Sequence, residues 1–187
     1  MSVLKTYFRF FKEPQEALPQ LVRARAFKEA CLGYLTAALS CVVLCNLGDS
    51  LSIPVFVFKT AILFVTEVTA GYILASFCAL FLDFGKVETS PAQLFVLVGF
   101  SGFIKSLLMV FVLLCATVPA ARLFLLAPCV FVAVWGLQLA FLTRGVMRLY
   151  GATAGKSLGA WLFALVPVVV VFGLSAVFFV WTLVLLF

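Results

Sequence analysis

The sequence predicts an all-α polytopic membrane protein: a bundle of five transmembrane helices preceded by an amphipathic interfacial helix. Three observations carry this. Hydrophobic residues make up 66% of the 187, charged residues only 11%, and mean hydropathy is +1.28. A soluble domain of this size needs far more polar surface, with about a quarter of its residues charged. Five apolar runs, 30–47, 55–82, 92–118, 123–143 and 157–187, reach or approach the roughly 20 residues that a spanning helix requires. These runs are long and do not alternate, which excludes a β-barrel, whose strands are shorter and have period two. Disorder is excluded because it needs low hydrophobicity.

The first 28 residues are not expected to be a signal peptide, since no short apolar core leads to a small-residue cleavage site. Val3, Leu4, Tyr7, Phe8 and Phe11 recur at helical spacing, with Lys5, Arg9 and Lys12 on another face. That pattern suits a helix lying among lipid headgroups, as a topological anchor or as a docking surface for a partner. Glu13-Pro14 ends it, because the residue before proline avoids helical dihedrals. A second segment from Gln15 leads into the first span. The division is therefore residues 1–28 as a cytoplasmic amphipathic segment and 29–187 as the transmembrane domain.

The second run follows Ser52-Ile53-Pro54, and the third opens at Ser90-Pro91, a good helix start with proline in the first turn. The fourth follows a break at Pro119, and the fifth is long enough to tilt or protrude. Basic residues set the orientation. Lys5, Arg9, Lys12, Arg23, Arg25, Lys28, Lys86, Arg144, Arg148 and Lys156 fall on one side, and Arg122 alone lies in a loop on the other. This places the N-terminus in the cytoplasm and the C-terminus outside, in the cell (inner) membrane. The excess of 13 Lys and Arg over 7 Asp and Glu thus reads as topology and headgroup attraction rather than as a nucleic-acid surface.

The chain contains no histidine, which removes most acid–base, triad and metal-ligand chemistry. Its six cysteines all fall in or at the start of apolar runs; Cys41 and Cys45 share a face but lack further zinc ligands. No cofactor or metal is expected. Gly99-Phe100-Ser101-Gly102 matches the GxSG motif of rhomboid proteases, but its serine lacks a histidine base, and a Ser101–Lys105 dyad would need a neutral lysine and water. Small residues at a packed helix face explain the motif better. The stretch from Gly151 to Ser157 is one residue short of a phosphate-binding loop, and no strand precedes it. Gly151, Gly155 and Gly159 instead make two GxxxG spacings for close helix packing. Similar seams run through Gly33, Ala37, Cys41 and Cys45 and through Gly71, Ala75 and Ala79, arguing for a compact bundle.

Two charges fall deep in the spans. At about 1.5 Å per residue, Glu67 lies ~24 Å from Asp83 and Lys105 ~20 Å from Ala92, so the depths match within the reach of a lysine. Glu67 is four residues from Gly71 and so faces protein. A mid-membrane charge costs roughly 2.5–3.5 kcal/mol even on the lenient insertion scale. The two form a structural ion pair between the second and third helices, or belong to a proton, ion or substrate path, or reach an interface. Lys59, five residues after Pro54, can snorkel outward.

Several motifs, in order along the chain, resemble the YIP family of five-span membrane proteins (Ypt/Rab-interacting type). Phe10-Phe11-Lys12-Glu13-Pro14-Gln15-Glu16-Ala17 is similar to its F-x-x-P lead-in, and Ser90-Pro91-Ala92-Gln93-Leu94-Phe95 to its lead into the third span. Leu142-Thr143-Arg144-Gly145-Val146, continuing through Leu149-Tyr150-Gly151 to Gly155-Lys156-Ser157, resembles the family's glycine- and lysine-containing loop before the fifth span. The resemblance implies a membrane-organising protein, in eukaryotes a trafficking protein whose cytosolic N-terminal region meets small GTPases. Here it is to the short prokaryotic-like form, so GTPase binding is not carried over, and Lys105 departs from the family's apolar third span. The reading is a non-catalytic scaffold or partner-binding subunit, with the lipid bilayer and either a second copy or another membrane protein as partners. The alternative is a small transporter or channel subunit using Glu67 and Lys105.

Overall fold

The computed structural model describes residues 14–46, 52–117 and 126–186. The first amphipathic stretch, with Lys5, Arg9 and Lys12, lies outside the described residues, as does Arg122. The order of elements is α1 (Pro14–Arg23), α2 (Phe27–Cys45), α3 (Ile53–Phe84), α4 (Pro91–Ser101), a 3-10 segment (Gly102–Ser106), α5 (Leu107–Thr117), α6 (Ala127–Tyr150) and α7 (Ala154–Leu186). No strand occurs among the described residues. Among the described residues, five helical units are long and apolar enough to cross a membrane: Phe27–Cys45, Ile53–Phe84, Pro91–Cys115, Ala127–Tyr150 and Ala154–Phe178. The protein is an all-α polytopic bundle of the integral membrane class.

The expected spans fall on these helices with ends moved by a few residues. Local chemistry sets the ends. Pro54 lies in the first turn of α3, where a missing N–H costs nothing. At the other end of α3, Lys86 adopts φ 60°, with Lys86 N–H bonded to Asp83 O and Val87 N–H to Leu82 O. This paired 5→2 and 6→1 closure satisfies two carbonyls that would otherwise be orphaned. Gly151 stops α6 at φ 65°, a backbone conformation that costs glycine nothing. Within the spans Thr36, Ser40, Thr60, Thr66, Thr143 and Ser175 bond the carbonyl four residues earlier, so their hydroxyls need no water.

Three findings differ from the sequence reading. First, α1 is not simply a lead-in to the first span. Ala17, Leu18 and Val22 are buried, and Leu18 and Val22 join the core, with α1 docked on α4 and α6. Arg25, at φ 52°, turns the chain from α1 into α2. Second, the third span is not one continuous α-helix but is interrupted by the 3-10 segment. Third, Gly155 is not a packing residue. A Cβ built there meets nothing within 4 Å, and at Gly159 it meets only the Phe81 ring at 3.7 Å, an ordinary contact. The buried face of α7 is offset from these glycines and includes Ser157, Ala160, Trp161 and Ala164, while the Phe163 ring meets Phe81 of α3. Trp161 and its small neighbours join the core, Gly155 lies away from it, and Gly159 borders the Phe81 ring of α3.

The backbones of α2 and the third span come into near contact. A Cβ on Gly33 would overlap the Gly99 carbonyl, and one on Gly102 would lie 2.8 Å from the Gly33 carbonyl carbon. Two backbones in near contact are what small residues permit in lipid, where packing must supply the association. The GxSG glycines thus serve helix packing. Gly71, Ala75 and Ala79 are buried on α3, as the four-residue seam expects, and of the α2 seam Gly33 and Ala37 are buried while Cys45 is exposed.

Candidate functional site: a buried charge pair beside an apolar cavity

Glu67 is carried by the middle of α3 and Lys105 by the 3-10 segment. The structure brings them together, with Lys105 Nζ 2.5 Å from Glu67 Oε1. Lys105 is the deeper partner: its side chain is 7% exposed, that of Glu67 22%. The Lys105 ammonium also lies 5.9 Å from the Trp135 ring centroid on α6, where the electron-rich face stabilises a cation.

The 3-10 segment is what aims Lys105. Residues three apart eclipse one another in this geometry. Gly102, held against the Gly33 backbone, and Lys105 therefore share one ridge, and anchoring the first directs the second. Local hydroxyls support the tightened turn. Ser101 Oγ donates to Val98 O at 2.6 Å and Ser106 Oγ to Phe103 O at 2.7 Å, both to carbonyls three residues back. Ser101 also accepts from Gln138 Nε2 at 2.8 Å, tying the third span to α6. The Ser101 hydroxyl thus has two partners, neither of which is Lys105, and the dyad geometry is not formed.

One turn beyond Glu67, Gly71 lies under the Tyr34 ring, and the Tyr34 hydroxyl donates to Phe95 O at 2.9 Å. Tyr34 therefore links α2, α3 and α4 just beside the ion pair. Lys59 lies apart from this cluster. It is exposed near the start of α3, and its Nζ donates to Asn46 Oδ1 at 2.6 Å.

Glu67, Lys105 and Gln138 also line a cavity of about 440 Å³ between α3, the third span, α6 and α7. The rest of its wall is mainly apolar: Ala70, Gly71, Leu74 and Val98 on one side, and Val132, Trp135, Leu139, Leu142, Trp161, Leu165, Val168 and Phe172 on the other. The sequence reading found the pair but not this cavity. Gln138, the one amide in an otherwise apolar stretch of α6, was the available signal. No group of three or more metal-ligating side chains is found among the described residues.

No protein-family model matches the chain, and neither a curated protein nor a solved structure matches it.

Proposed function

We propose that the chain is a non-catalytic membrane protein of YIP type, a scaffold or partner-binding subunit of the cell membrane with its N-terminus in the cytoplasm. The observation that carries this reading is the closed Glu67–Lys105 pair. The two deep charges are spent on each other at the junction of α3 and the third span, not on Ser101. A closed pair in low dielectric fixes how helices mate, the best-attested use of buried charge. The glycine crossing of α2 and the Tyr34 link add rigidity at the same level. The basic flanks and the order of the family-like motifs support the orientation and the family. Affinity purification in mild detergent with mass spectrometry tests the reading. A stoichiometric membrane-protein partner, or a second copy, is expected. A monomer that retains no partner under these conditions overturns it.

A second reading is favoured by the cavity, which touches both Glu67 and Lys105. A small transporter would use such a site. Proteoliposomes that show a flux abolished by Glu67→Gln support transport; proteoliposomes impermeable to ions and small solutes count against it.

A further inference from the structure

We propose that the cavity between α3, the third span, α6 and α7 binds a neutral, single-chain lipophile bearing one hydroxyl, a long-chain alcohol in chemical class. This goes beyond the scaffold reading and does not depend on it.

The shape selects the chain. Along α7 the wall runs from Trp161 to Phe172 and along α6 from Val132 to Leu142, about 15–17 Å of helix at 1.5 Å per residue. That length, with a volume of about 440 Å³, accommodates one extended hydrocarbon chain. The volume lies within the range of small-molecule sites, and the composition matches theirs: an apolar wall with a few polar groups at one place.

The polar groups select the head. Glu67 and Lys105 neutralise each other, so a charged head at this depth would leave one charge uncompensated. Hydrogen-bonding capacity remains open. Glu67 Oε2 and Gln138 Oε1 accept no bond from any described residue, while Oε1 of Glu67 and Nε2 of Gln138 are taken. Lys105 Nζ spends one of its three N–H groups on Glu67. A hydroxyl donates to one of these acceptors and accepts from a lysine N–H; an ether cannot donate, and a hydrocarbon can do neither.

The rim selects the route. Val132 is 69% and Trp135 44% exposed, and a Cβ on Gly136 would meet nothing within 4 Å. These cavity-lining residues of α6 open it sideways, toward the apolar phase in which such a molecule dissolves.

The test uses tryptophan fluorescence. Trp135 and Trp161 line the cavity, while Trp181 is exposed further along α7 and is removed as Trp181→Phe. The full chain in nanodiscs of unbrominated lipid is titrated with 9,10-dibromooctadecan-1-ol, with its methyl ether, with 9,10-dibromooctadecane and with 9,10-dibromooctadecanoate. Saturable quenching by the alcohol is expected, with apparent affinity at least about tenfold above the other three. Ala70→Phe, which fills the cavity from α3, should abolish the saturable component, and Gln138→Leu should bring the alcohol down to the level of the ether. If Ala70→Phe does not yield folded protein, Val168→Phe fills it from α7. Equal quenching by alcohol and alkane, meaning occupation by any lipid tail, overturns the proposal. So does saturable quenching that survives in a folded cavity-filled variant, and so does preference for the carboxylate.

Discussion

Tyr34 and Gly71 meet across α2 and α3 with no room between them: a Cβ on Gly71 would lie 2.6 Å from Tyr34 Cε1 and 2.7 Å from Cζ. The ring is fully buried, and its hydroxyl is held by Phe95 O. Gly71→Ala must displace the ring and break that bond, so it is expected to cost about 1–3 kcal/mol, the usual range for overpacking. Tyr34→Phe, which keeps the ring and loses the bond, is expected to cost about 1 kcal/mol. In a Tyr34→Ala background the Gly71→Ala penalty should largely vanish. Thermal unfolding in detergent of the four variants checks this; an unchanged penalty would mean that the contact is not the cause.

The Glu67–Lys105 pair predicts non-additivity. Breaking a buried pair leaves an unpaired charge, at roughly 3–5 kcal/mol in soluble interiors and less where water and snorkelling relax the cost. Glu67→Gln and Lys105→Met alone should each lower the Tm or yield more than the double variant does. The coupling should exceed about 1 kcal/mol. A double variant equal to the sum of the singles would show that the pair does not act as a unit.

The glycine positions separate sharply. Gly102→Ala forces a methyl into the Gly33 backbone, which cannot yield as a flexible side chain could. A loss of about 3 kcal/mol or failure to fold is expected. Gly155→Leu, with open space around it, should change stability by no more than about 0.5 kcal/mol. Parallel measurements of Tm and expression decide it, and a severe Gly155→Leu defect would point to an interface with another chain.

Orientation is tested by reporter fusion. The basic asymmetry predicts that a periplasm-active reporter placed after Phe187 is active and one placed at Lys86 is silent. The reverse pattern would invert the topology.

Hydropathy along a chain reports depth, and what depends on depth was legible. The five spans, their approximate ends and the level match of Glu67 with Lys105 all follow from counting residues. Azimuth was not legible where a helix is apolar all round, because no polar stripe marks which side faces protein. That is why the GxxxG spacing of α7 picked Gly155, which has open space around it, while Ala160, Trp161 and Ala164 are the residues of α7 buried in the core. On α3 the charge at Glu67 broke the symmetry, and the seam through Gly71, Ala75 and Ala79 was read correctly. The docking of Leu18 and Val22 depends on a groove formed by other helices, which no local pattern in residues 14–23 contains.

The five residues from Gly102 to Ser106 act on the third span as a phase shift. At three residues per turn instead of 3.6, each advances about 120° rather than 100°, so the segment overwinds the helix by about 100° and lengthens it by roughly 2.5 Å. That rotation equals one α-helical residue. From Leu107 onward the chain therefore presents its side chains as though one residue had been inserted upstream. The two halves of the span can be matched to different neighbours, Leu94, Leu97 and Val98 to the core and Leu107, Val110, Leu113 and Leu114 to the outside, without any insertion in the sequence.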